Sequence, residues 1–160
     1  MSTKYKFKDD EKIYFVSFAV VDWIDIFVRT EYRDIFTDSL KYCIQHKDLQ
    51  LFAWCLMTSH VHLIIGTTGN SLSNIMRDLK KHTAKKLYRE ISIHPIESRR
   101  EWLLKMMREA GKLNSNNDAF QFWQQDNHPI ELASPLMIQQ KLDYLHNNPV
   151  MAGFVEKPED

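Results

Sequence analysis

Glycine is scarce in this sequence, with 4 residues among 160, and proline contributes only 5. No Ser, Gly or Pro tract divides the chain, so it contains no obvious linker, low-complexity region or internal repeat. A chain of this length, of which 44% is hydrophobic, can form one domain with a substantial core but is short for two. We therefore predict a single domain over residues 1–160.

Cysteines are few, and long apolar runs are missing. Cys43 and Cys55 form no CxxC pair and lie in predicted core elements, which favours buried thiols in a reducing compartment over a disulfide or a metal pair. No stretch reaches the roughly 18 apolar residues of a membrane span, and the charged start "MSTKYKFKDDEK" lacks the apolar segment of a signal peptide. We predict a cytoplasmic protein with no membrane partner.

Net charge is also absent, because 21 basic side chains balance 21 acidic ones. A polyanionic partner would therefore have to bind a local patch rather than the field of the whole molecule. The segment 77–89 offers such a patch, with six basic residues and one acidic residue. These cations can face phosphates from one helix, although a solvated lysine face is the alternative. The predicted phosphate-binding residues are Arg77, Lys80, Lys81 and Lys85.

Hydrophobic periodicity divides the chain into short strands and amphipathic helices. The predicted strands cover 13–21, 49–57 and 60–67, and the last two form a hairpin. Helices are predicted from Thr30, from Ser71 as N-cap and over 95–110, followed by a loop at 111–118 and an extended segment at 119–132. A last helix is predicted over 135–147, with Pro149 ending it. This order predicts an α+β, ferredoxin-like (split βαβ) antiparallel sheet with helices packed on one face.

Two histidines interrupt the apolar segment "CLMTSHVHLII". Alternate residues of a strand share a face, so His60 and His62 should point one way and Val61, Leu63 and Ile65 the other. Two imidazoles on one face are half of a metal site and need at least one further ligand. Ligand preference alone would suggest zinc before magnesium, and simple hydrogen bonding on the strand face is the alternative.

The segment "LDYLHNNPVMAGFV" could supply the missing ligand. Tyr144 and Asn148 are four residues apart, which places both side chains on one face of a helix. The amide oxygen of Asn148 could complete a His, His, Asn shell while the phenol of Tyr144 lies beside the ion. An ordinary helix tyrosine with a hydrogen-bonded hydroxyl is the alternative. His146 faces away and is given no catalytic role.

Together, "SHVHLII" and "DYLHNNPVMAGFV" resemble the motifs of the single-tyrosine HUH transposases, in the branch of the REP-associated tyrosine transposases and IS200-like transposases. The resemblance runs from about Tyr14 to Val155. Histidine-triad nucleotide hydrolases carry a third alternating histidine, but position 64 here is Ile. The resemblance implies that His60 and His62 are metal ligands and that Tyr144 is the nucleophile. Asn148 occupies the position where related transposases place glutamine.

The same resemblance implies a cofactor, a substrate and a reaction. The resemblance implies Mg²⁺ or Mn²⁺ as cofactor, single-stranded or hairpin DNA as substrate, and a 5′-phosphotyrosine intermediate that allows cleavage and rejoining. A homodimer is possible, because some relatives donate the tyrosine helix across a subunit interface and others act as monomers. Two other functions stay open: a non-catalytic, domesticated hairpin-DNA binder, and a metal-dependent hydrolase without a covalent intermediate. Phe122 and Trp123 could stack on unpaired bases or pack in the core.

Overall fold

The computed structural model describes residues 6–115 and 119–160, so part of the predicted loop at 111–118 lies outside the described residues. Strands and helices alternate along the chain largely as the periodicity predicts. The strands are β1 (Tyr14–Ala19), β2 (Leu49–Leu56), β3 (His60–Thr67) and β4 (Ile130–Glu131). The helices are α1 (Thr30–His46), α2 (Leu72–Ile93), α3 (Arg100–Lys112) and α4 (Pro135–Met151). A short 3₁₀ turn, Val21–Trp23, follows β1.

The four strands form one antiparallel sheet in the order β2-β3-β1-β4. β2 and β3 form the predicted hairpin, whose turn is closed by the Met57 amide donating to the His60 carbonyl at 2.9 Å. β3 is central, and its His60 and His62 lie opposite Ala19 and Ser17 of β1. This strand order, with a helix after β1 and another after β3, confirms the predicted α+β, ferredoxin-like fold.

One face of the sheet carries the main core. Val61, Leu63 and Ile65 are fully buried there, as the alternation along β3 predicts. Helices α1 and α2 cover this face with their apolar stripes. Phe122 and Trp123 belong to the same core, and the indole of Trp123 donates to the hydroxyl of Thr83 at 3.0 Å. These two aromatic residues are therefore core residues and do not offer their rings to bases.

The other face of the sheet lies beneath α4. A smaller cluster joins Phe15 and Ile64 of the sheet to Leu145 of α4, with Leu132 beside them. The prediction of helices on one face thus holds for α1 and α2, whereas α4 occupies the opposite face. Because His60 and His62 alternate with the main-core residues of β3, they lie on the same face as α4.

Helix α4 extends beyond its predicted end. It continues to Met151 with Pro149 inside it, whereas the sequence predicted an end at 147. Proline lacks an amide hydrogen and therefore removes one donor from the last turn, but the Ala152 amide still donates to the Asn148 carbonyl at 3.1 Å. Asn148 is consequently held in helical geometry one turn after Tyr144.

The observed starts of α1 and α3, and the capping of α2, also differ from the prediction. α3 begins at Arg100 rather than near 95, and Thr30 is the first residue of α1 rather than its cap. Ser71 is the N-cap residue of α2 but makes no side-chain capping bond; the carboxylate of Asp10 accepts from the Leu72 amide at 2.9 Å instead. A distant side chain therefore bonds the start of α2, which the local sequence assigned to Ser71.

Two further sequence predictions can be compared with the described residues. Cys43 and Cys55 are both free and buried, and burial raises the pKa of each thiol. Within 6–115 and 119–160, none of the helices has both the length and the apolar character needed to cross a membrane.

Candidate active site

The two histidines of β3 lie side by side on the α4 face of the sheet. Their ring centroids are 4.8 Å apart, with the ring planes at 76°. His62 is only 3% exposed, whereas His60 is half-buried and lies with Nδ1 3.2 Å from the hydroxyl of Ser59. The strand alternation that predicted a shared face is thus observed.

Helix α4 brings the two predicted partners to this pair. Nδ2 of Asn148 lies 3.1 Å from Nε2 of His62, and the ring centroid of Tyr144 is 5.3 Å from that of His62. Tyr144 is 49% exposed, so its phenol is accessible from solvent. All four side chains come from one chain, so the cluster needs no second subunit to complete it. We call His60, His62, Tyr144 and Asn148 the histidine–tyrosine cluster.

Two further residues form a wall beside this cluster. Phe15 stacks on His62 with centroids 5.6 Å apart and meets Tyr144 edge-on at 5.9 Å. The ammonium of Lys141 lies 4.6 Å from the centroid of Phe15 and 5.3 Å from that of Tyr144. Sequence reasoning missed Lys141, although its spacing of three residues from Tyr144 and seven from Asn148 places it on the same helix face.

Burial keeps both imidazoles neutral. It lowers the pKa of His62 to about 4, with smaller contributions from the neighbouring His60 and Lys141. It also lowers the pKa of His60, against the opposing effects of a hydrogen bond with Asn148 and the carboxylate of Asp25. At neutral pH both rings therefore carry a free lone pair, which is the form that binds a metal ion.

The donor set fits a divalent cation. The carboxamide of Asn148 contacts both imidazoles, and a flip of the amide exchanges its oxygen and nitrogen without moving the side chain. Two ligands of one ion with bonds of roughly 2.1 Å lie about 3 Å apart, which matches the 3.1 Å between His62 and Asn148. Across the described residues, no group of three or more His, Cys, Asp or Glu side chains could hold a metal. Asn148 is the polar side chain placed to supply a third ligand beside His60 and His62.

Packing, rather than a hydrogen bond to Nδ1, orients the ring of His62 among the described residues. Its Nδ1 is buried and has no hydrogen-bond partner among the described residues. The ring is held instead by stacking on Phe15 and by the edge contact with Tyr144. Metal-binding histidines usually donate this second N–H to a partner, so a metal ion at His62 would rely on packing to hold the ring.

The basic helix predicted to bind phosphates lies elsewhere. α2 packs its apolar stripe against the main-core face, so its exposed Lys81 and Lys85 point away from the sheet and from the histidine–tyrosine cluster. Arg77 is exposed and bonds the side chains of Asp78 and Asn74, each at 2.9 Å. Phosphate binding by Arg77, Lys81 and Lys85 stays a prediction, at a surface separate from the cluster.

Lys80 differs from the other cations of α2. Its ammonium donates to the carbonyls of Gln124 at 2.7 Å and Gln125 at 3.3 Å, and to the side chain of Asn127 at 3.0 Å. Burial lowers the pKa of Lys80 to about 8. These bonds fix the segment that runs along β1, where the Ser17 amide donates to the Asn127 carbonyl at 2.9 Å. The geometry favours a structural role for Lys80 over phosphate binding.

We expect Lys80→Ala and Lys85→Ala to affect different properties. Lys80→Ala should lower the free energy of unfolding by about 1–3 kcal/mol, because it removes the charged donor to the partly buried Gln124 carbonyl and to the Asn127 side chain. Lys85→Ala should change stability by less than about 0.5 kcal/mol. If Lys85 contacts phosphate, its variant should weaken DNA binding and reduce the salt dependence of the affinity.

Urea denaturation and fluorescence anisotropy with labelled DNA at several salt concentrations measure these two properties separately. Equal stability of the two variants would contradict the structural role of Lys80. An unchanged affinity and salt dependence in Lys85→Ala would contradict its role in phosphate binding.

A buried carboxylate outside the cluster fixes the loop before His60. The side chain of Glu97 is fully buried and accepts hydrogen bonds from Arg29 at 2.8 Å, Arg99 at 3.2 Å and Tyr32 at 3.1 Å. Burial raises the pKa of Glu97, but the bonds from Arg99 and Arg29 outweigh it and lower the pKa to about 2. Glu97 therefore stays ionised at neutral pH.

This network reaches the turn between β2 and β3. Arg99 donates to the carbonyl of Asp25 at 2.9 Å, and the carboxylate of Asp25 accepts from the hydroxyl of Thr58 at 2.6 Å. The amide of Phe27 donates to the carbonyl of Thr58 at 2.9 Å. Since Thr58 directly precedes the Ser59–His60 pair, the network positions the start of β3. Sequence reasoning missed it because Arg99 and Asp25 are 74 positions apart.

Glu97→Gln should lower the free energy of unfolding by about 2 kcal/mol at neutral pH, because Arg29 and Arg99 lose a buried anion. A carboxylate with a lowered folded pKa contributes stability above its ordinary value of 4.5 and loses it as the pH falls towards 2. The difference between the two proteins should therefore shrink between about pH 5 and about pH 3. Urea denaturation across this pH range measures the difference in the free energy of unfolding, and Glu101→Gln, at an exposed position, is the control. A difference that does not change with pH would contradict the ion-pair role of Glu97.

Comparison with known families defines the class of protein. The family model described as "Transposase IS200 like" matches residues 24–103, which is half of the chain. The chain therefore belongs to the IS200-like transposase family and is a DNA-processing enzyme by class. The matched region includes His60 and His62, whereas Tyr144 and Asn148 follow it. The family resemblance drawn from the two sequence motifs is confirmed.

Two solved structures share the fold. A REP-associated tyrosine transposase bound to a REP hairpin superposes with a TM-score of 0.66 at 15% identity, covering 99% of this chain and 78% of that one. A provisionally assigned transposase from Deinococcus radiodurans R1 gives a TM-score of 0.52 at 18% identity, covering 92% and 95%. At these identities the likeness establishes the fold alone. Among curated proteins, no significant match was found.

Proposed function

We propose that this protein is a metal-dependent, single-tyrosine DNA transposase that cleaves and rejoins single-stranded DNA through a 5′-phosphotyrosine intermediate, at sites that contain a hairpin. One observation carries the proposal. The accessible phenol of Tyr144 lies beside His62, at 5.3 Å between ring centroids, and Asn148 contacts the same imidazole from one turn further along the helix. The side chains proposed as nucleophile and as metal ligands thus lie together within one chain.

The chemistry proposed for this cluster is a phosphoryl transfer. The phenol oxygen of Tyr144 attacks the phosphorus of a phosphodiester, the bond to the 3′ oxygen breaks, and that oxygen leaves as a 3′-OH after taking up a proton. The phenol proton passes to solvent or to a nearby base. The bond energy is kept in the phosphotyrosine, so the 3′-OH of another strand can reverse the step and join the strands without ATP.

The residues of the cluster would have different roles in this reaction. His60, His62 and Asn148 would hold the ion, for which Mg²⁺ or Mn²⁺ is the expected identity in this family. Such an ion supplies positive charge that stabilises the developing phenolate and the scissile phosphate. The ammonium of Lys141, near the ring of Tyr144, adds a cation on the same side of the site.

The proposed substrate is suggested by the fold and the family. The REP-associated transposase that shares the fold is described as bound to a REP hairpin. We extend a hairpin-containing, single-stranded substrate to this chain, with the exposed cations of α2 as a second phosphate-binding surface. A homodimer is not required, because one chain supplies the complete cluster. We also propose a cytoplasmic location, where DNA is accessible and the free thiols stay reduced.

A covalent-trapping experiment tests the proposal. The protein is incubated with 5′- and 3′-labelled hairpin oligonucleotides that have single-stranded flanks, in Mn²⁺, Mg²⁺ or EDTA, and is resolved on a denaturing gel. We expect a metal-dependent protein–DNA adduct that contains the 3′ fragment, together with a released 5′ fragment that ends in 3′-OH. Binding of every substrate without cleavage would favour the non-catalytic DNA binder. Cleavage without an adduct would favour the hydrolase.

A further inference from the structure

An exposed indole lies at the edge of the histidine–tyrosine cluster. Trp23 is 58% exposed, and its ring centroid lies 5.3 Å from that of His60, with the planes at 66°. Tyr144 contacts the other histidine, His62. Trp23 and Tyr144 therefore contact different members of the histidine pair.

The backbone holds this indole in an unusual conformation. Asp22 and Trp23 both have left-handed dihedral angles, with φ of 52° and 55°. Left-handed conformations are unfavourable for residues other than glycine and persist only where surrounding bonds impose them. Here the Val21 amide donates to the Phe122 carbonyl at 2.8 Å, and the Trp23 amide donates to the Val20 carbonyl at 3.0 Å. The turn is thus bonded to the buried segment that precedes the strained pair, and the buried Ile24 follows the pair.

Packing within the chain does not explain this strain. A large apolar ring normally gains stability by burial, yet the turn presents Trp23 to solvent beside a predicted metal ligand. Exposed aromatic rings next to a phosphate-binding centre are the usual platform for unpaired bases, because every base has a flat face that can stack. The arrangement therefore points to a nucleobase as the missing neighbour.

The direction of attack determines which nucleotide carries the base that would stack on Trp23. In an in-line displacement the attacking and leaving oxygens lie on opposite sides of the phosphorus. If Tyr144 attacks from the His62 side, the leaving 3′ oxygen and its nucleotide lie on the side of His60 and Trp23. We propose that Trp23 stacks on the base immediately 5′ of the cleaved phosphate and so positions the leaving nucleotide. This inference rests on the proposed function and adds a substrate-positioning residue to it.

An abasic scan tests the inference without requiring turnover. Binding is measured by fluorescence anisotropy in a Tyr144→Phe background, using oligonucleotides in which each unpaired nucleotide in turn is made abasic. Trp23→Ala should weaken binding to the intact oligonucleotide about tenfold. One abasic position should cause a similar loss in the parent protein and no additional loss in the Trp23→Ala variant, because the two changes remove the same contact. Trp23→Phe should recover part of the affinity.

The matched control is Trp102→Ala, which removes another exposed indole. Trp102 is 51% exposed and lies on α3, whose buried apolar side chains belong to the main core and not to the cluster. It should leave every affinity unchanged. If Trp23→Ala loses the same factor on all abasic substrates, the indole contacts no single base and the inference is wrong. The inference also fails if Trp23→Ala binds like the parent in this background but slows cleavage when Tyr144 is intact, because Trp23 would then merely orient His60.

Two results separate this inference from the proposed function. Wild-type protein that forms the covalent adduct, with no non-additive abasic position, would leave the transposase proposal intact and overturn the stacking. A single non-additive position without any adduct would support base stacking and overturn the covalent mechanism. Where both hold, the non-additive position should be the nucleotide that carries the released 3′-OH.

Discussion

Tyr144→Phe should abolish the covalent protein–DNA adduct while leaving the fold and DNA affinity unchanged. The substitution removes only the phenol oxygen, and the remaining ring keeps its contacts with His62 and Phe15. Without the oxygen no phosphotyrosine can form, and the cleavage rate should fall by about 10⁴-fold or more. A denaturing gel measures the adduct, and anisotropy measures the affinity for the same oligonucleotide.

Tyr42→Phe is the matched control, because Tyr42 is a similarly exposed tyrosine on α1, on the far side of the sheet from the cluster. Its adduct yield should equal that of the wild type. An adduct that survives in Tyr144→Phe would mean that another side chain is the nucleophile. Strand cleavage that survives without an adduct would mean that water attacks and that the protein is a hydrolase.

His62→Ala should give the second large effect. This imidazole contacts the other three members of the histidine–tyrosine cluster and Phe15: Asn148 at 3.1 Å, and the rings of His60, Phe15 and Tyr144 at 4.8–5.6 Å between centroids. Its loss would remove one of the three proposed neutral ligands, so Mn²⁺ affinity should fall by at least about 10–100-fold. Cleavage should fall by about 10³-fold, since charge stabilisation at the phosphate is lost together with the ion.

Calorimetric titration of Mn²⁺ and the yield of adduct test these two effects. Because His62 is buried, the free energy of unfolding of the variant should also fall by about 2–4 kcal/mol. Both assays are therefore carried out at a temperature at which urea denaturation shows that the variant is folded. His146→Ala provides the control, since His146 is exposed on the same helix. Unchanged Mn²⁺ binding in His62→Ala would show that the ion is held elsewhere.

Much of the fold follows from patterns that are local in the sequence. Alternation over β3 placed His60 and His62 on one face and Val61, Leu63 and Ile65 in the core, because a strand has no other way to arrange successive side chains. The four-residue spacing of Tyr144 and Asn148 similarly fixed their shared helix face. The meeting of these two elements was not local, and the motif resemblance supplied it before the structure showed it.

Other features depend on contacts that no local pattern records. The ammonium of Lys80 has the sequence context of a surface cation, but it bonds the 124–127 segment more than forty residues away. The aromatic and amide residues after 121 have the composition of a base-binding segment, yet Trp123 is buried against Thr83. The turn at Trp23 and the Glu97 network were missed for the same reason, because tertiary bonds define both.

The sheet separates two surfaces that could each meet a nucleic acid. The histidine–tyrosine cluster faces α4, whereas the exposed cations of α2 lie beyond the helical layer on the other side. A strand that touches both must pass around an edge of the sheet and span two layers of structure. An oligonucleotide of only a few nucleotides would therefore occupy one surface at a time. A DNA strand bound to both surfaces would have a footprint longer than the few nucleotides that flank the cut.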